Sequence, residues 1–315
     1  MAQKAIALLA ATASLLVSTC CGGRSEPQTI RMGVLPILDT LPLYVAEQEG
    51  FFEERGVTVT LIPAASAAER DQLMQAGEID GIITDLVALS LYNRETTQVL
   101  GVRYAMTPTE GFPQFRIMAS AESGFSRPEE LAGVQIGVSE GTVIEYVTDR
   151  LLASEGVAAA EIETLGVPKI PERMALLRSG ELAAATLPEP LASLAQQQGA
   201  EVIVDDTEQT ELSCSIYAFR KGTLEAQPEA VRALLAAVSE ASRAINMDKG
   251  RWSSLLADQN LVPQPLMGSY ELPDYPADET PTERQFVDAA AWLMENGVLA
   301  KQPRYADSIS DSYLP

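Results

Sequence analysis

The 315-residue sequence predicts an α/β protein of two similar βαβ lobes around a cleft, with helices added at the carboxyl end. Three observations predict it. From Thr29 onward, short apolar runs alternate with amphipathic stretches of helical period, the pattern of units that lay helices on a mostly parallel sheet. The strand–helix pattern is written twice, at a step of about one hundred residues. Beyond Pro228 the strand signals stop, and three helical stretches close the chain.

The first element is an address. Met1 to Lys4 carry positive charge, and Ala5 to Val17 form an apolar run. A helix of that length spans about 20 Å, short of the roughly 30 Å hydrocarbon core, so residues 1–20 read as a secretory signal and not a membrane span. Val17-Ser18-Thr19-Cys20 resembles the lipobox of bacterial lipoproteins, although Thr19 stands where Gly or Ala is usual; the resemblance implies that Cys20 carries lipid. The alternative is a plain cut without lipid. Residues 21–28, CGGRSEPQ, are polar and read as a tether.

The first copy of the repeat runs from strand Ile30–Leu35 through Pro36–Thr40 into helix Leu41–Arg55, closing on Gly56-Val57. The second runs from strand Val134–Val138 through Ser139–Thr142 into helix Val143–Glu155, closing on Gly156-Val157. Tyr44-Val45 and Tyr146-Val147 hold matching places. Downstream, Leu73–Asp80 mirrors Leu176–Ala183: a helix ended by Gly77 or Gly180, then an apolar strand, Ile79–Thr84 or Leu182–Leu187. Another helix then begins at Asp85 or at Pro188-Glu189-Pro190.

Two further apolar strands serve as crossings: Phe115–Ala119 enters the second lobe, and Ser213–Phe219 returns to the first. This divides the chain into lobe 1, residues 29–114 and 213–315 with the C-terminal helices, and lobe 2, residues 115–212. Helices Pro228–Asn246, Arg251–Asn260 and Pro281–Asn296 are expected to pack back on lobe 1 and brace the hinge, with Trp252 and Trp292 as core anchors.

Composition excludes several classes. Acidic residues outnumber basic ones 44 to 22, for a formal charge of −22, so nucleic acid is not an expected partner. The chain has no histidine, which removes Ser-His-Asp and Cys-His nucleophile activation and imidazole metal sites. Lys4, Lys169, Lys221, Lys249 and Lys301 lie in no nucleotide-loop or Schiff-base context. Cys214 sits alone in an apolar run and reads as a small buried hydrophobe. No catalytic residue, metal site or cofactor is expected.

In open parallel sheets, ligands bind beyond the carboxyl ends of strands, where loops run into helix N-termini. Two facing lobes place two such sets around one cleft. The candidate ligand contacts in lobe 1 are Asp39, Thr40, Thr84 and Asp85, with Tyr104 as an aromatic that could stack on a ring. Those in lobe 2 are Gly141, Thr142 and Glu189, in and beyond the loop Ser139–Thr142. Each has a plain alternative: Thr142 with Glu145 is also a capping box, like Ser66 with Glu69 and Ser126 with Glu129; Asp85 is also an N-cap; Glu189 also complements a helix dipole; Tyr104 also suits a core. Asp39, Asp85 and Glu189 give the cleft an acidic cast. Arg103 and Arg116 fall in strand-like runs that need not face it, so an amine, amidine, aminopyrimidine or zwitterion is the favoured ligand.

Leu41-Pro42-Leu43-Tyr44-Val45-Ala46, Gly50–Val57, Glu129–Val138, Gly141–Tyr146, Leu151–Val157 and Leu187-Pro188-Glu189-Pro190 together resemble the substrate-binding proteins of the nitrate/sulfonate/taurine importers and their thiamine-pyrimidine relatives, over roughly residues 29–246. That resemblance implies the two-lobed periplasmic-binding fold. It also implies an exported, membrane-anchored, monomeric solute receptor, working with an ABC permease and ATPase at the outer face of the cytoplasmic membrane or in the periplasm. Ala183 replaces an acid common in relatives, and Ile37-Leu38-Asp39-Thr40 and Asp85 differ from the small neutral residues of anion binders. A sulfonate, taurine or nitrate binder is the alternative on ligand. A pyrimidine-synthase-like enzyme and a ligand-sensing domain are the alternatives on role, the first lacking its histidine and cysteine-rich motif here.

Overall fold

The computed structural model describes residues 29–315. The leader, Cys20 and the tether therefore lie outside the described residues. The strands are β1 Thr29–Val34, β2 Thr58–Pro63, β3 Gly81–Asp85, β4 Val99–Met106, β5 Phe115–Ala119, β6 Gln135–Val138, β7 Glu163–Gly166, β8 Ala184–Pro188, β9 Glu201–Asp205 and β10 Ser215–Arg220. They form two five-stranded sheets, in the orders β2-β1-β3-β10-β4 and β7-β6-β8-β5-β9. The two sheets have one topology. In each, three strands from one copy of the repeat run parallel, and the strand arriving from the other sheet runs antiparallel between the third and the last. This is the two-lobed α/β architecture that the repeat predicts.

The helices are α1 Leu41–Gln48, α2 Phe51–Glu54, α3 Ala67–Ala76, α4 Leu86–Tyr92, α5 Val143–Ser154, α6 Ile170–Ser179, α7 Leu191–Gln197, α8 Lys221–Ala226, α9 Pro228–Met247, α10 Ser253–Asp258, α11 Glu283–Glu295 and α12 Tyr305–Ser308. The single helix expected over Leu41–Arg55 is two. Gly50 adopts φ +78°, a left-handed conformation that ends one helical segment before Phe51 starts the next.

One core cluster unites β1, α1 and α9 with the fully buried Trp252. A second joins the lobes: Leu86 and Val87 of α4, Ile144 and Val147 of α5, and Phe286, Ala289 and Trp292 of α11 bury together. Helix α9 does pack on lobe 1, through α1 and α2. Helix α11 reaches both lobes. It lies against α4, and it binds α5 of lobe 2 through Trp292 Nε1 to Asp149 (2.7 Å) and the Tyr146 hydroxyl to Asp288 (2.6 Å). No helix of the described residues is long and apolar enough to cross a membrane.

Candidate functional site

The crossings decide where a site can form. β4 ends at Met106 beside Ser215, and β5 begins at Phe115 beside Pro188, so residues 107–114 run from the carboxyl edge of one sheet to the carboxyl edge of the other. Residues 206–214 make the return trip between the same two edges. Two such short links keep the carboxyl edges of the two sheets together, with the loops leaving β1 and β3 on the lobe 1 side and those leaving β6 and β8 on the lobe 2 side, where the sequence predicts a cleft. A buried carboxylate fastens the links together. Asp206 accepts the Gln114 N–H (2.9 Å), the Phe115 N–H (3.2 Å) and the Ser213 hydroxyl. Burial pushes its carboxyl up to about 6, against the downward pull of those three donors.

On the lobe 1 wall, Asp39 is half-buried and accepts the hydroxyl of Ser215, the first residue of the returning strand. Burial raises its carboxyl above the usual range, and Ser215 only partly offsets this. Thr40 is sealed, with its hydroxyl donated to the Leu35 carbonyl (2.9 Å). Asp85 caps α4 by accepting the Ala88 N–H (2.8 Å), and burial raises it too. Thr84 is 3% exposed and its hydroxyl has no partner among the described residues. Tyr104 is not free to stack on a ring: its ring is buried in the inter-lobe core and its hydroxyl donates to Gln285 Oε1 (2.6 Å).

On the lobe 2 wall, Thr142 donates to the Ser139 carbonyl (2.6 Å) and accepts the Ile144 N–H (3.2 Å). The expected capping box is displaced by one residue, because the Glu145 carboxylate takes the N–H of Gly141 (2.6 Å). The same displacement occurs at Ser66, where Glu69 takes the Ala65 N–H (2.8 Å). At Ser126 the accepting acid is Glu130 and not Glu129. The start of α5 is thus answered in part by the chain's own acid.

Two charge expectations are corrected. Arg116 does reach the cleft edge: its Nε lies 2.8 Å from Glu189 Oε1, and the Tyr270 hydroxyl donates to the other oxygen (3.2 Å). Glu189 is therefore a neutralised acid, because the antiparallel pairing of β5 with β8 sets Arg116 beside Leu187 and within reach of it. Arg103 is buried and turned to Asp278 (2.7 Å) and the Tyr104 carbonyl (2.8 Å). What the sequence reading missed is Arg173. It is fully buried, it donates to Val167 O (2.9 Å), Thr186 O (2.7 Å) and Ser139 Oγ (2.5 Å), and burial pushes it down to about 10. Its signal was in the repeat: Arg70 and Arg173 stand at the same distance ahead of Gly77 and Gly180.

A hollow of about 570 Å³ lies between α5, the return link and α11. Its arginines are already matched, Arg150 to Asp288 (3.1 Å) and Arg284 to Glu211. Cys214, beside Asp85, is sealed, and burial holds its thiol far above the usual range.

Residues 23–255 match the model of a family described as the NMT1-like family. Comparison with curated proteins returned no match. Among solved structures, the periplasmic aliphatic sulphonate binding protein SsuA of Escherichia coli superposes with a TM-score of 0.77 at 19% identity, over 90% of this chain and 92% of that one. The alkanesulfonate-binding protein SsuA of Xanthomonas axonopodis pv. citri, bound to MOPS, gives 0.73 at 18%, over 91% and 99%. The desulfurization enzyme DSZB gives 0.66 at 15%, over 91% and 97%. At these identities the likeness establishes the shared two-lobed fold.

Proposed function

The chain belongs to the NMT1-like family, and we propose that it is the exported solute receptor of an ABC-type importer, tethered through Cys20 to the outer face of the cytoplasmic membrane. The solute lies between the lobes and is a small polar molecule with nitrogen donors, aminopyrimidine-like or zwitterionic. One observation carries the ligand class: Asp39 and Asp85 stand at the carboxyl edge of lobe 1 with no arginine or lysine in ion-pair contact among the described residues, and burial raises both. A carboxylate held that way is relieved by a donor or a cation, and a solute that closes the cleft supplies one. The unpartnered Thr84 hydroxyl adds a third polar group at the same edge.

The solute-binding solved structures of this fold support the receptor role. One enzyme shares the fold; against that role here, the chain has no histidine to activate a nucleophile, and Cys214 is buried as a thiol.

A thermal-shift panel of amines, aminopyrimidines, amino acids, aminosulfonates and flavins on the ligand-stripped protein tests the reading. A solute at 100 times its Kd stabilises by about 2.7 kcal/mol. The expected hit loses affinity in Asp85→Asn; hits confined to compounds without nitrogen, indifferent to that change, would refute the ligand class.

A further inference from the structure

Besides the two links, the lobes touch on both faces of their sheets, and the two contacts differ in kind. On one face, α4 and α11 of lobe 1 meet α5 of lobe 2 in an apolar core. Phe286 and Leu293 are fully buried there, and the buried Trp292 donates Nε1 to Asp149 (2.7 Å). On the other face, residues 264–275 of lobe 1 reach α7 and the loop leaving β8. The strands keep the two contacts apart: Ile216 and Ala218 of β10 join the core of α11, whereas Tyr217 and Phe219 join that of Leu272 and Tyr275. In lobe 2, Ile117 faces the α5 side and Met118 the α7 side.

Segment 264–275 is riveted to lobe 1 at its carboxyl end. The backbone of Tyr275 exchanges two hydrogen bonds with the Asn246 amide (2.8 and 2.9 Å), and its hydroxyl donates to the carbonyl of Leu38, next to Asp39 (2.7 Å). Lobe 2 holds the other end more lightly. The Tyr270 hydroxyl donates to Glu189 Oε2 (3.2 Å), and Gln197 Nε2 reaches the Pro265 carbonyl at 3.4 Å. The Tyr270 ring meets Phe112 of the outgoing link edge-on, with centroids 6.0 Å apart.

The chemistry of each contact decides which one yields. Parting the α11 contact would bring water onto a continuous apolar core, the costliest kind of surface to expose. The Tyr270 contact is a single hydroxyl on a buried acid. The Glu189 side chain is only 3% exposed, and its Oε1, 2.8 Å from Arg116 Nε, is out of line for a hydrogen bond. Desolvating such a pair costs about as much as its attraction returns, so this contact stands near balance and parts easily. We infer that residues 264–275 are a clasp between the lobes: the lobes turn about the dry α4–α5–α11 contact, which persists, while the Tyr270–Glu189 contact makes and breaks. Its two ends stand at Leu38 and Glu189, in the loops leaving β1 and β8. The clasp thereby deepens the receptor reading, on which it rests, by naming what regulates access between those loops.

The test needs no solute, so its failure is distinct from the failure of a solute screen. The ligand-stripped wild type, Tyr270→Phe and Tyr146→Phe are compared by small-angle scattering, tryptophan emission and melting temperature. Tyr270→Phe keeps the ring beside Phe112 and loses the hydroxyl. It is expected to enlarge the radius of gyration and to leave the emission at the wild-type wavelength, because Trp292 stays dry at the pivot and Trp252 is sealed within lobe 1. Tyr146→Phe removes a hydroxyl on the α11 side, where it donates to Asp288 (2.6 Å). It is expected to lower the melting temperature and leave the radius unchanged. A wild-type radius in Tyr270→Phe would overturn the clasp. A larger radius accompanied by red-shifted emission would mean that the α11 contact parts, and would overturn the pivot. Equal enlargement in both variants would show that the two contacts do not differ, and would overturn the inference as a whole.

Discussion

Replacing Asp206 by asparagine removes a titrating group from the place where the two inter-lobe links meet. The carboxylate is fully buried and accepts three donors, the N–H groups of Gln114 and Phe115 and the hydroxyl of Ser213. Burial still dominates, so the native carboxyl sits at about 6 against an ordinary 3.8. The native state therefore holds a proton through pH 4 to 6 that the unfolded chain has released. Stability from this group is full below about pH 4 and is lost as pH rises through 6. Two pKa units correspond to roughly 3 kcal/mol. Asparagine keeps the shape and cannot ionise; its single oxygen orphans one buried N–H, at a cost of about 1–3 kcal/mol that does not change with pH. The stability difference between variant and wild type should therefore move by roughly 3 kcal/mol in the variant's favour from pH 4 to pH 7. Urea unfolding of the ligand-stripped protein at pH 4, 5, 6 and 7 measures it. A difference that stays constant within about 0.5 kcal/mol, or that moves the other way, would refute the assignment of this proton to Asp206.

Three further outcomes are expected. In Gly81→Ala, the new methyl lies 2.6 Å from the Phe219 ring and from Met32 Sδ; overpacking there should cost about 1–3 kcal/mol, read as a lower melting temperature. Tyr270→Phe removes the hydroxyl that ties the 264–275 segment to Glu189, and small-angle scattering of the ligand-free protein should give a larger radius of gyration. Cys20 should carry lipid: mass spectrometry of the mature amino terminus should find it modified, and Cys20→Ala should move the protein to the soluble fraction.

The architecture was legible because it is carried by periodicity. Apolar strands and glycine-ended helices recur at one spacing, and the crossings Phe115–Ala119 and Ser213–Phe219 appear as the antiparallel members of the two sheets. The helix break at Gly50 was not legible, since Leu41–Arg55 keeps an apolar face throughout and only the backbone angle shows the stop. The charge balance of the cleft was misread for a different reason. Ion pairs form across strands, so Glu189 looked free until the pairing of β5 with β8 brought Arg116 to it. Arg173 drew no reading from the sequence, and only its bonds to the Val167 and Thr186 carbonyls show it buried. Helix α11 carries an apolar face that says it packs, but not that it bridges α4 and α5.

A solute held by Asp39 and Asp85 on lobe 1 draws the lobes together only by what lobe 2 adds to it, because only a differential affinity for the closed state shifts the equilibrium. The motion expected is a hinge at the links 107–114 and 206–214, which Asp206 fastens to each other. Small-angle scattering with and without solute tests it: a smaller radius of gyration is expected at saturation, and an unchanged radius, starting from an open ligand-free form, would count against a hinged receptor.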